Sequence, residues 1–326
     1  MVIKMEKAKR VPKNARWTKK KTAALLLLIV VVIASVVFAW LYGLFGVQVV
    51  SDYDESRLGV FFLDVGQGDS ILIKSPEGRF MLIDAGTNEG GEELVNMLRS
   101  YNVETLDYFV LTHADADHVG GADDVLENFE VKTVLSSDVG ADTKTWRDVL
   151  DAIEREGCAD VTVSVGNRYT FSEDCTFTVL GPVDTETDRN NCSVVLRMDY
   201  GETSFLFTGD AEKEAEERML QRNGREALQA DVLKVGHHGS STSTSAEFLE
   251  AVSPSYGVIS CGKDNKYGHP HQSALDRLSA AGVQVLRTDE MGTVILQSDK
   301  EQIYAVGRTV ETPLERYIAK LKNWVA

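Results

Sequence analysis

One short stretch of the chain carries four side chains that could bind a metal. His113, Asp115, Asp117 and His118 follow the apolar run Tyr108–Leu111, which has the pattern of a buried strand. Two imidazoles and two carboxylates crowded at one turn need partners, and a divalent cation satisfies both residue types at about 2.0 to 2.2 Å. The ordinary alternative is a solvated acidic loop beside a capped helix. The spacing predicts a metal site if other parts of the chain supply further ligands.

The distribution of histidines supports such a site. The chain has 6 histidines, which occur as three pairs: His113 with His118, His237 with His238, and His269 with His271. Histidines placed only by packing would not be confined to turns rich in Gly, Ser and Asp, so the pairs indicate one shared site. Asp210 also follows an apolar run, residues 203–207, and is a candidate ligand, although it could serve only as the N-cap of the next helix.

The apolar periodicity predicts alternating strands and helices. The 326 residues are 43% hydrophobic, enough for a sizeable core. Strands are predicted near 59–65, 70–74, 80–86, 108–111, 131–135, 161–180, 194–198, 203–208, 231–235, 256–261, 283–287 and 293–297. Helices are predicted near 89–101, 123–129, 146–156, 211–222, 246–252 and 273–281.

The N-terminal part differs from the rest in charge and hydropathy. Residues 1–22 hold nine Lys or Arg and one acid, so +8 of the formal charge lies there; subtracting this from the total of −16 leaves −24 for the remainder. Residues 23–50 carry no charge and could cross a bilayer as a helix. We expect a basic cytoplasmic tail, a single-pass cell-membrane anchor over 23–50, and an extracytoplasmic folded part. A signal peptide cleaved near Ala39 is the alternative.

The rest of the chain divides into three predicted segments. Residues 51–57 form an acidic linker, 58–300 the folded domain and 301–326 a C-terminal extension, in which 314–325 could form a short amphipathic helix. The four cysteines are Cys158, Cys175, Cys192 and Cys261. In an oxidising space a Cys158–Cys175 disulfide is one expectation and unpaired buried thiols are the other. No pair has the spacing of a cysteine zinc site.

Taken together, the motifs resemble those of the metallo-β-lactamase superfamily. The shared features are residues 113–118, Asp84 after a strand, Asp210 after Thr208-Gly209, and His237-His238. More narrowly, residues 64–70 (DVGQGDS), 235–240 (VGHHGS) and 267–270 (YGHP) are similar to the hydrolase domain of the ComEC-like DNA-uptake competence proteins. The match runs in motif order over residues 58–298. It implies an α/β (α+β) fold, a four-layer αββα sandwich with metals at one rim of two facing sheets, here preceded by the transmembrane helix.

The resemblance implies a ligand set with one departure. The superfamily holds one metal with two histidines of the first motif and a later histidine, whereas here the second position is Asp115, and no histidine lies between His118 and Asp210. The implied ligands are His113, Asp115 and Asp210 for one cation and Asp117, His118, Asp210 and His238 for the other. The implied cofactor is two divalent cations, Zn²⁺ first, with Mn²⁺ or Mg²⁺ as alternatives because the set is rich in oxygen.

Further roles follow from the same resemblance. Asp117, His237 and His269 are the predicted catalytic residues, as proton relays or phosphate contacts, and His237 could exchange roles with His238 as ligand. The predicted substrate-binding residues are Asn191, Ser193, Lys263, Asn265 and Tyr267. The residues expected to support the site structurally are Asp64, Gln67, Asp69 and Asp84. His269 could instead only bond the backbone of its own turn, and His271 is expected to be structural.

The implied function is hydrolysis of a phosphodiester by a hydroxide bridging the two metals. The expected partners are a phosphodiester substrate, with DNA as one candidate, and the membrane through the N-terminal helix; no protein partner is evident. The charge of −24 repels a polyanion, so an envelope polymer or a small phosphodiester is an alternative to the nuclease. The missing histidine also permits a non-catalytic scaffold. β-Lactam hydrolysis is disfavoured by the ligand set and the YGHP motif.

Overall fold

Apolar runs without helical spacing form the central strands. The computed structural model describes residues 49–50, 53–184 and 188–306. The strands Leu58–Phe62 and Thr203–Phe207 are buried along their whole length and not on alternate residues. A strand is buried in this way when both faces of its sheet are covered. The burial pattern therefore places these strands in the interior of a layered structure.

Two large sheets contain most of the described strands. The order across the first sheet is Val49–Val50, Ile303–Val306, Val294–Ser298, Leu58–Phe62, Ile71–Lys74, Phe80–Ile83, Tyr108–Leu111, Thr133–Ser136 and Ala159–Thr162. The order across the second is Arg168–Ser172, Cys175–Gly181, Val195–Tyr200, Thr203–Phe207, Val232–Lys234, Tyr256–Ile259 and Gln284–Arg287. Two short strands, Thr105–Leu106 and Glu130–Val131, pair separately.

Helices cover the outer face of each sheet. The helices are Gly91–Ser100, Ala116–Val119, Ala122–Asn128, Lys144–Glu156, Lys213–Asn223, Arg225–Leu228, Ala246–Val252, Gln272–Ala280 and Thr288–Met291. One core cluster joins the helices Gly91–Ser100, Ala122–Asn128 and Lys144–Glu156 to the first sheet. Another cluster joins the helices after residue 212 to the second sheet. Between the sheets, the rings of Phe62 and Phe207 lie 6.4 Å apart. The arrangement is the expected α/β sandwich of two sheets between helical layers.

Strand direction explains where the chemistry-bearing residues collect. Phe80–Ile83, Tyr108–Leu111 and Thr133–Ser136 are mutually parallel in the first sheet. Thr203–Phe207 and Val232–Lys234 are parallel in the second. Because parallel strands end at the same edge of a sheet, the loops that follow them meet. Asp84, the 113–118 motif, Asp210 and the 237–238 pair all lie in such loops.

The six helices predicted between residues 89 and 281 are confirmed to within two residues at their ends. A strand is present at each predicted position. Over the stretch 161–180 the structure has three strands, Ala159–Thr162, Arg168–Ser172 and Cys175–Gly181. The sheet continues past residue 300, because Ile303–Val306 pairs with Val294–Ser298. The predicted cytoplasmic tail, the cleavage site near residue 39 and the helix over 314–325 lie outside the described residues. The division into linker, domain and extension stays a prediction.

The predicted membrane localisation is wrong. Across residues 49–50, 53–184 and 188–306, no helix combines the length and the apolar character needed to span a bilayer. Residues 23–48 of the expected anchor are outside the described part. Its last two residues, Val49–Val50, form a strand parallel to Ile303–Val306. The hydropathy of these two valines suggested the end of a helix. β-Branched residues such as valine favour strands, and here the pair adds to the edge of a sheet.

Gly68 provides a test of how closely the loops pack at this edge. Its φ is +147°, and a Cβ there would lie 2.3 Å from the carbonyl oxygen of Asp117. Gly78 has φ +80°, but a Cβ added to it would meet nothing within 4 Å, so it serves as the matched control. We expect Gly78→Ala to lower the free energy of unfolding by about 1 kcal/mol, because of its positive φ alone. Gly68→Ala should lower it by about 2 kcal/mol more, because the backbone at Asp117 must also move to make room for the Cβ. Urea denaturation would measure both; equal losses would contradict the predicted packing.

Candidate metal centre

The first group of candidate ligands consists of His113, His118 and Asp210. All three are buried, and one ligand atom from each lies within 4.8 Å of the others. His118 Nε2 is 3.2 Å from Asp210 Oδ1, and the two imidazole centroids are 4.2 Å apart. The backbone N–H of Asp210 donates to Ser193 Oγ at 3.1 Å, which fixes the start of its loop. The group is therefore assembled from two loops, one from each sheet.

The second group consists of Asp117, His118 and His238, again within 4.8 Å of one another. His238 Nε2 lies 3.4 Å from Asp117 Oδ2 and 3.5 Å from Asp210 Oδ2. The Asp210 carboxylate thus faces the first group with one oxygen and the second with the other. The resemblance implied a bridging role for Asp210, and that role stays a prediction.

Several buried nitrogen and oxygen atoms of these residues have no hydrogen-bond partner and could bind divalent cations. His113 Nε2, His118 Nε2, His238 Nε2 and Asp210 Oδ1 are buried, and none makes a hydrogen bond of acceptable geometry within the described residues. A buried polar atom without a partner is costly. Imidazole nitrogen and carboxylate oxygen converging on a small space are the donors that zinc and related divalent metals take. The residues present therefore fit a metal centre.

The electrostatics of the cluster point the same way. Burial alone would raise the pKa of Asp210, but the imidazoles of His238 and His118 hold it well below its usual value. Burial likewise opposes ionisation of Asp117, yet His238 and His118 lower its pKa to about 2. Burial and the charge of His118 lower the pKa of His113 to about 4, which keeps its imidazole neutral. The centre thus presents carboxylate anions that require positive charge.

The two inner histidines feel the same carboxylates. Burial would lower the pKa of His238, but Asp210 and Asp69 raise it to about 10. Burial is also outweighed at His118, where Asp210 and Asp84 raise the pKa well above its ordinary value. Both imidazoles are therefore drawn toward carrying a proton. Divalent cations at the same place would supply the positive charge instead.

Asp84 orients His118 from behind. Its Oδ2 lies 2.7 Å from His118 Nδ1 and accepts from Thr112 Oγ1 at 2.6 Å, while Oδ1 accepts from the Thr112 N–H at 2.8 Å. Asp84 adopts φ +58°, a left-handed conformation unusual for a non-glycine residue and common at functional sites. With Nδ1 held by a carboxylate, Nε2 of His118 is the atom presented to a metal.

The later histidine pair is set by a left-handed turn. His237 has φ +47° and His238 φ +53°. His238 Nδ1 donates to the Ser260 carbonyl at 2.9 Å, which presents Nε2 to the centre. His237 Nδ1 lies 3.0 Å from Glu212 Oε1, and its Nε2 is 3.6 Å from Asp210 Oδ2. His238 is thus the buried candidate ligand, and His237, 22% exposed, lies at the rim.

Asp115 is not placed as a ligand, contrary to the set implied by the resemblance. It belongs to none of the convergent groups, and its Oδ2 lies 4.0 Å from His113 Nε2. Its Oδ1 instead accepts from Arg189 Nε at 2.5 Å. An ion pair with a guanidinium competes with coordination, so His118 takes the place expected for Asp115 in the first group.

A cavity of about 150 Å³ opens onto the centre. Its lining is Gln67, Asp115, Asp117, Asn190, Asp210, His237, His238, Tyr267 and His269. Burial and the neighbouring imidazoles lower the pKa of His269 to about 4, so this ring is neutral at physiological pH. Its Nδ1 is buried and makes no hydrogen bond in the described part of the chain. The predicted catalytic residues Asp117, His237 and His269 thus share one cavity.

Of the five predicted substrate-binding residues, only Tyr267 lines this cavity. Asn265 folds its own loop: Nδ2 donates to the Gly262 and His269 carbonyls, and Oδ1 accepts from the Tyr267 and His269 N–H groups. Lys263 is exposed outside the lining. Asn191 Oδ1 accepts from the Glu212 N–H at 3.1 Å. Asn191 and Ser193 therefore hold the Asp210 loop. The substrate contacts expected of these residues stay predictions.

The four residues expected to support the site make different contacts, and their supporting role stays a prediction. Gln67 Oε1 accepts from the Gly262 N–H at 3.1 Å and joins two rim loops. Asp64 Oδ1 accepts from the Gly66 N–H at 3.3 Å within its own exposed turn. Asp69 is buried, with Oδ1 at 3.3 Å from His238 Nδ1. His271 Nδ1 accepts from the Ser241 N–H at 2.9 Å, which suits the structural role expected for it.

Three partners were missed by the sequence reading. Glu212 holds His237, Arg189 holds Asp115, and Lys234 Nζ lies 2.7 Å from Asp69 Oδ2. Only Lys234 left a signal, since a lysine inside the apolar strand Val232–Lys234 is unusual for a buried position. The other two are ordinary surface residue types until the fold brings them to the rim.

The cysteines take no part in the centre. None of the four, all within the described residues, forms a disulfide, so the expected Cys158–Cys175 bond is wrong. Cys175, Cys192 and Cys261 are buried. Burial raises the pKa of Cys175 and of Cys261 to about 12, which keeps both as thiols. Inert buried thiols fit a packing role.

Comparison with known proteins agrees with the fold and the centre. The family model of the metallo-beta-lactamase superfamily matches residues 63–263, so the chain belongs to this superfamily. It is 37% identical to ComE operon protein 3 of Bacillus subtilis over 72% of this chain, and 34% identical to competence protein ComA of Neisseria gonorrhoeae over 74%. Recombination protein 2 of Haemophilus influenzae is 33% identical over 71%. The implied resemblance to competence proteins is confirmed.

The chain spans about a third of the length of these relatives, 32%, 32% and 28% respectively. Among solved structures, YhfI from Bacillus subtilis has a TM-score of 0.51 at 12% identity, covering 74% of this chain and all of YhfI. CmlA, a diiron β-hydroxylase from Streptomyces venezuelae, has a TM-score of 0.51 at 14% identity, covering 76% of this chain and 55% of CmlA. At such identities the likeness is one of fold.

The contact between Asp84 and His118 can be tested by metal affinity. We expect Asp84→Asn to weaken Mn²⁺ or Zn²⁺ binding by about 10- to 100-fold, because the amide no longer holds the imidazole as a carboxylate does. Isothermal titration calorimetry would measure the affinity. Asp107→Asn is the matched control, since Asp107 is buried but pairs with Arg79 and Lys132. An equal loss in both variants would contradict the assignment.

Proposed function

We propose that this chain is a metal-dependent hydrolase of phosphodiester bonds. The observation that carries the proposal is the position of Asp210, whose two carboxylate oxygens face two groups of buried ligand atoms beside an open cavity. Two-metal centres bridged by a carboxylate suit in-line displacement at phosphorus. Relatives named as competence and recombination proteins favour a nucleic-acid or nucleotide substrate.

The residues that would hold the cations come from the two groups described above. His113, His118 and Asp210 would hold one. Asp117, Asp210 and His238 would hold the other, since the single free nitrogen of His118 can serve only one cation. When bound, divalent cations polarise the phosphoryl group and lower the pKa of a water molecule toward neutrality. Zn²⁺, Mn²⁺ and Mg²⁺ are all compatible with this mixture of oxygen and nitrogen donors.

Asp117 and His237 would assist the attacking water at the rim of the cavity. The Asp117 side chain is 31% exposed, so its carboxylate is reachable from the cavity and can accept a hydrogen bond that orients the attacking water. Glu212 holds His237 by Nδ1, which leaves Nε2 facing the cavity. When Nδ1 donates to Glu212, Nε2 carries the lone pair and can take the proton that the attacking water loses. The carboxylate behind the ring steadies its tautomer, as in other carboxylate–histidine pairs.

His269 and Tyr267 would receive the substrate. His269 remains neutral and can donate one N–H to a phosphoryl oxygen. Tyr267 is 51% exposed, and its ring stacks on His269 with centroids 5.7 Å apart and planes at 23°. Lys266 Nζ lies 4.9 Å from the Tyr267 centroid, which adds positive charge to this edge. An exposed, supported aromatic ring beside a phosphate position is a stacking surface for a base.

The charge of the chain limits the size of the substrate. A net charge of −16 repels a long polyanion at low ionic strength. Among the described residues, the lining of the cavity contains no lysine or arginine, and Lys266 lies beside it at Tyr267. A short single-stranded segment or a dinucleotide therefore fits better than duplex DNA. A small or envelope-derived diester without a base is the alternative that the acidic charge also allows.

Hydrolysis of three kinds of substrate by the full chain tests the proposal. The substrates are bis-p-nitrophenyl phosphate, single-stranded DNA and a β-lactam, each with Zn²⁺, Mn²⁺ or Mg²⁺. We expect metal-dependent turnover of the phosphodiesters and at least a ~100-fold loss in Asp210→Ala, because a direct ligand should count for more than an outer one. The exposed Glu154 on the helix Lys144–Glu156 supplies the control variant Glu154→Ala. Turnover of the lactam alone would overturn the proposal.

The role of Tyr267 separates nucleotide from other diesters. We expect Tyr267→Leu to raise KM for a thymidine dinucleotide by about 10-fold, since stacking of one base contributes about 1 to 3 kcal/mol. KM for glycerophosphocholine, which has no ring to stack, should not change. Tyr267→Phe keeps the aromatic face and is the matched control. Equal effects of Tyr267→Leu on both substrates would rule out a stacking role.

A further inference from the structure

Lys234 is buried directly behind the metal centre. Its side chain is 0% exposed, and Nζ lies 2.7 Å from Asp69 Oδ2 and donates to the Val235 carbonyl at 3.0 Å. Taking an ammonium group out of water is costly unless its charge is answered. An apolar side chain would fill the same position in the strand Val232–Lys234 without that cost. The presence of the charge therefore needs a reason beyond packing.

Asp69 stands between Lys234 and the two inner histidines. Its Oδ1 lies 3.3 Å from His238 Nδ1, and its Oδ2 lies 4.0 Å from His118 Nδ1. Oδ1 is buried and makes no hydrogen bond of acceptable geometry within the described residues. Asp69 thus presents an available carboxylate oxygen to the same histidines that line the centre.

The geometry of the cluster permits more than the two ligand groups described above. Two further groups have ligand atoms within 4.8 Å, and both contain Asp69: one with Asp210 and His238, the other with Asp84 and His118. These groups compete with the first two for the same residues. A cation that settled on Asp69 would draw His118 or His238 away from the cavity side. Distance alone does not decide between these arrangements.

We propose that the buried ammonium group of Lys234 neutralises the carboxylate of Asp69. Metal ions are thereby confined to the side of the centre that faces the cavity. The ammonium would repel a divalent ion bound to the same carboxylate, and this repulsion is strong in a dry interior. Asp117 and Asp210 have no fixed cation of this kind at contact distance among the described residues. They are the carboxylates left for metal.

Replacement of Lys234 with and without its partner tests the proposal in the full chain. Wild type, Lys234→Met and the double variant Asp69→Asn/Lys234→Met are loaded with Co²⁺, whose visible absorption reports its ligands. We expect the spectrum to change in Lys234→Met, because the Asp69 carboxylate joins the ligands. It should return to the wild-type form in the double variant, where residue 69 carries no charge. Lys300→Met, at an exposed lysine paired with Asp174, is the matched control.

Folding is followed by circular dichroism and urea denaturation. If Lys234→Met alone does not fold, the double variant decides, because a neutral pair can replace a buried ion pair without loss of stability. A wild-type spectrum and an affinity within 10-fold of wild type in the double variant support the proposal. A larger loss of Co²⁺ affinity there, or an unchanged spectrum in folded Lys234→Met, would overturn it. The inference depends on the metal centre and on no particular substrate, so its outcome is separate from the turnover assays.

Discussion

The structure depends on holding several carboxylates and histidines together in a dry interior. Asp69, Asp84 and Asp210 are almost fully buried beside His113, His118 and His238. Such a cluster is unfavourable unless positive charge and directed hydrogen bonds answer each carboxylate. The parallel strands of both sheets end at this place, so the fold itself brings the charges together. Stability and chemistry are therefore bound to the same few side chains.

A single rule organises the imidazoles. His118 is held at Nδ1 by Asp84, His238 by the Ser260 carbonyl and His237 by Glu212. His113 Nδ1 lies 3.2 Å from Thr112 Oγ1. In each case Nε2 is left for the centre or its cavity. Partners behind a ligand ring determine both its tautomer and its direction, which is why metal sites need residues that never touch the metal.

The carboxylates around the centre differ in whether they pair with a lysine or an arginine. Lys234 pairs with Asp69 behind the centre, and Arg189 pairs with Asp115 at the rim. Within the described part of the chain, the carboxylates of Asp117 and Asp210 pair with histidines and with no lysine or arginine. Asp115 is thus held away from the ligand groups, and Asp210, whose two oxygens face different histidines, is the residue placed between them. An acidic chain can thus limit where metal binds by neutralising some of its own carboxylates.

Periodicity and residue type are local properties, so they were enough to predict the helices and strands. The order of the motifs was enough to predict the family and most of the residues that converge. The sequence by itself could not determine which carboxylate meets which cation. Asp115 and Arg189 are 74 residues apart, and only the packing of the two sheets brings them together. Hydropathy likewise misread Val49–Val50, whose backbone pairs with a distant strand. Contacts between remote segments were decided by the tertiary structure, since no local pattern records the distance between them.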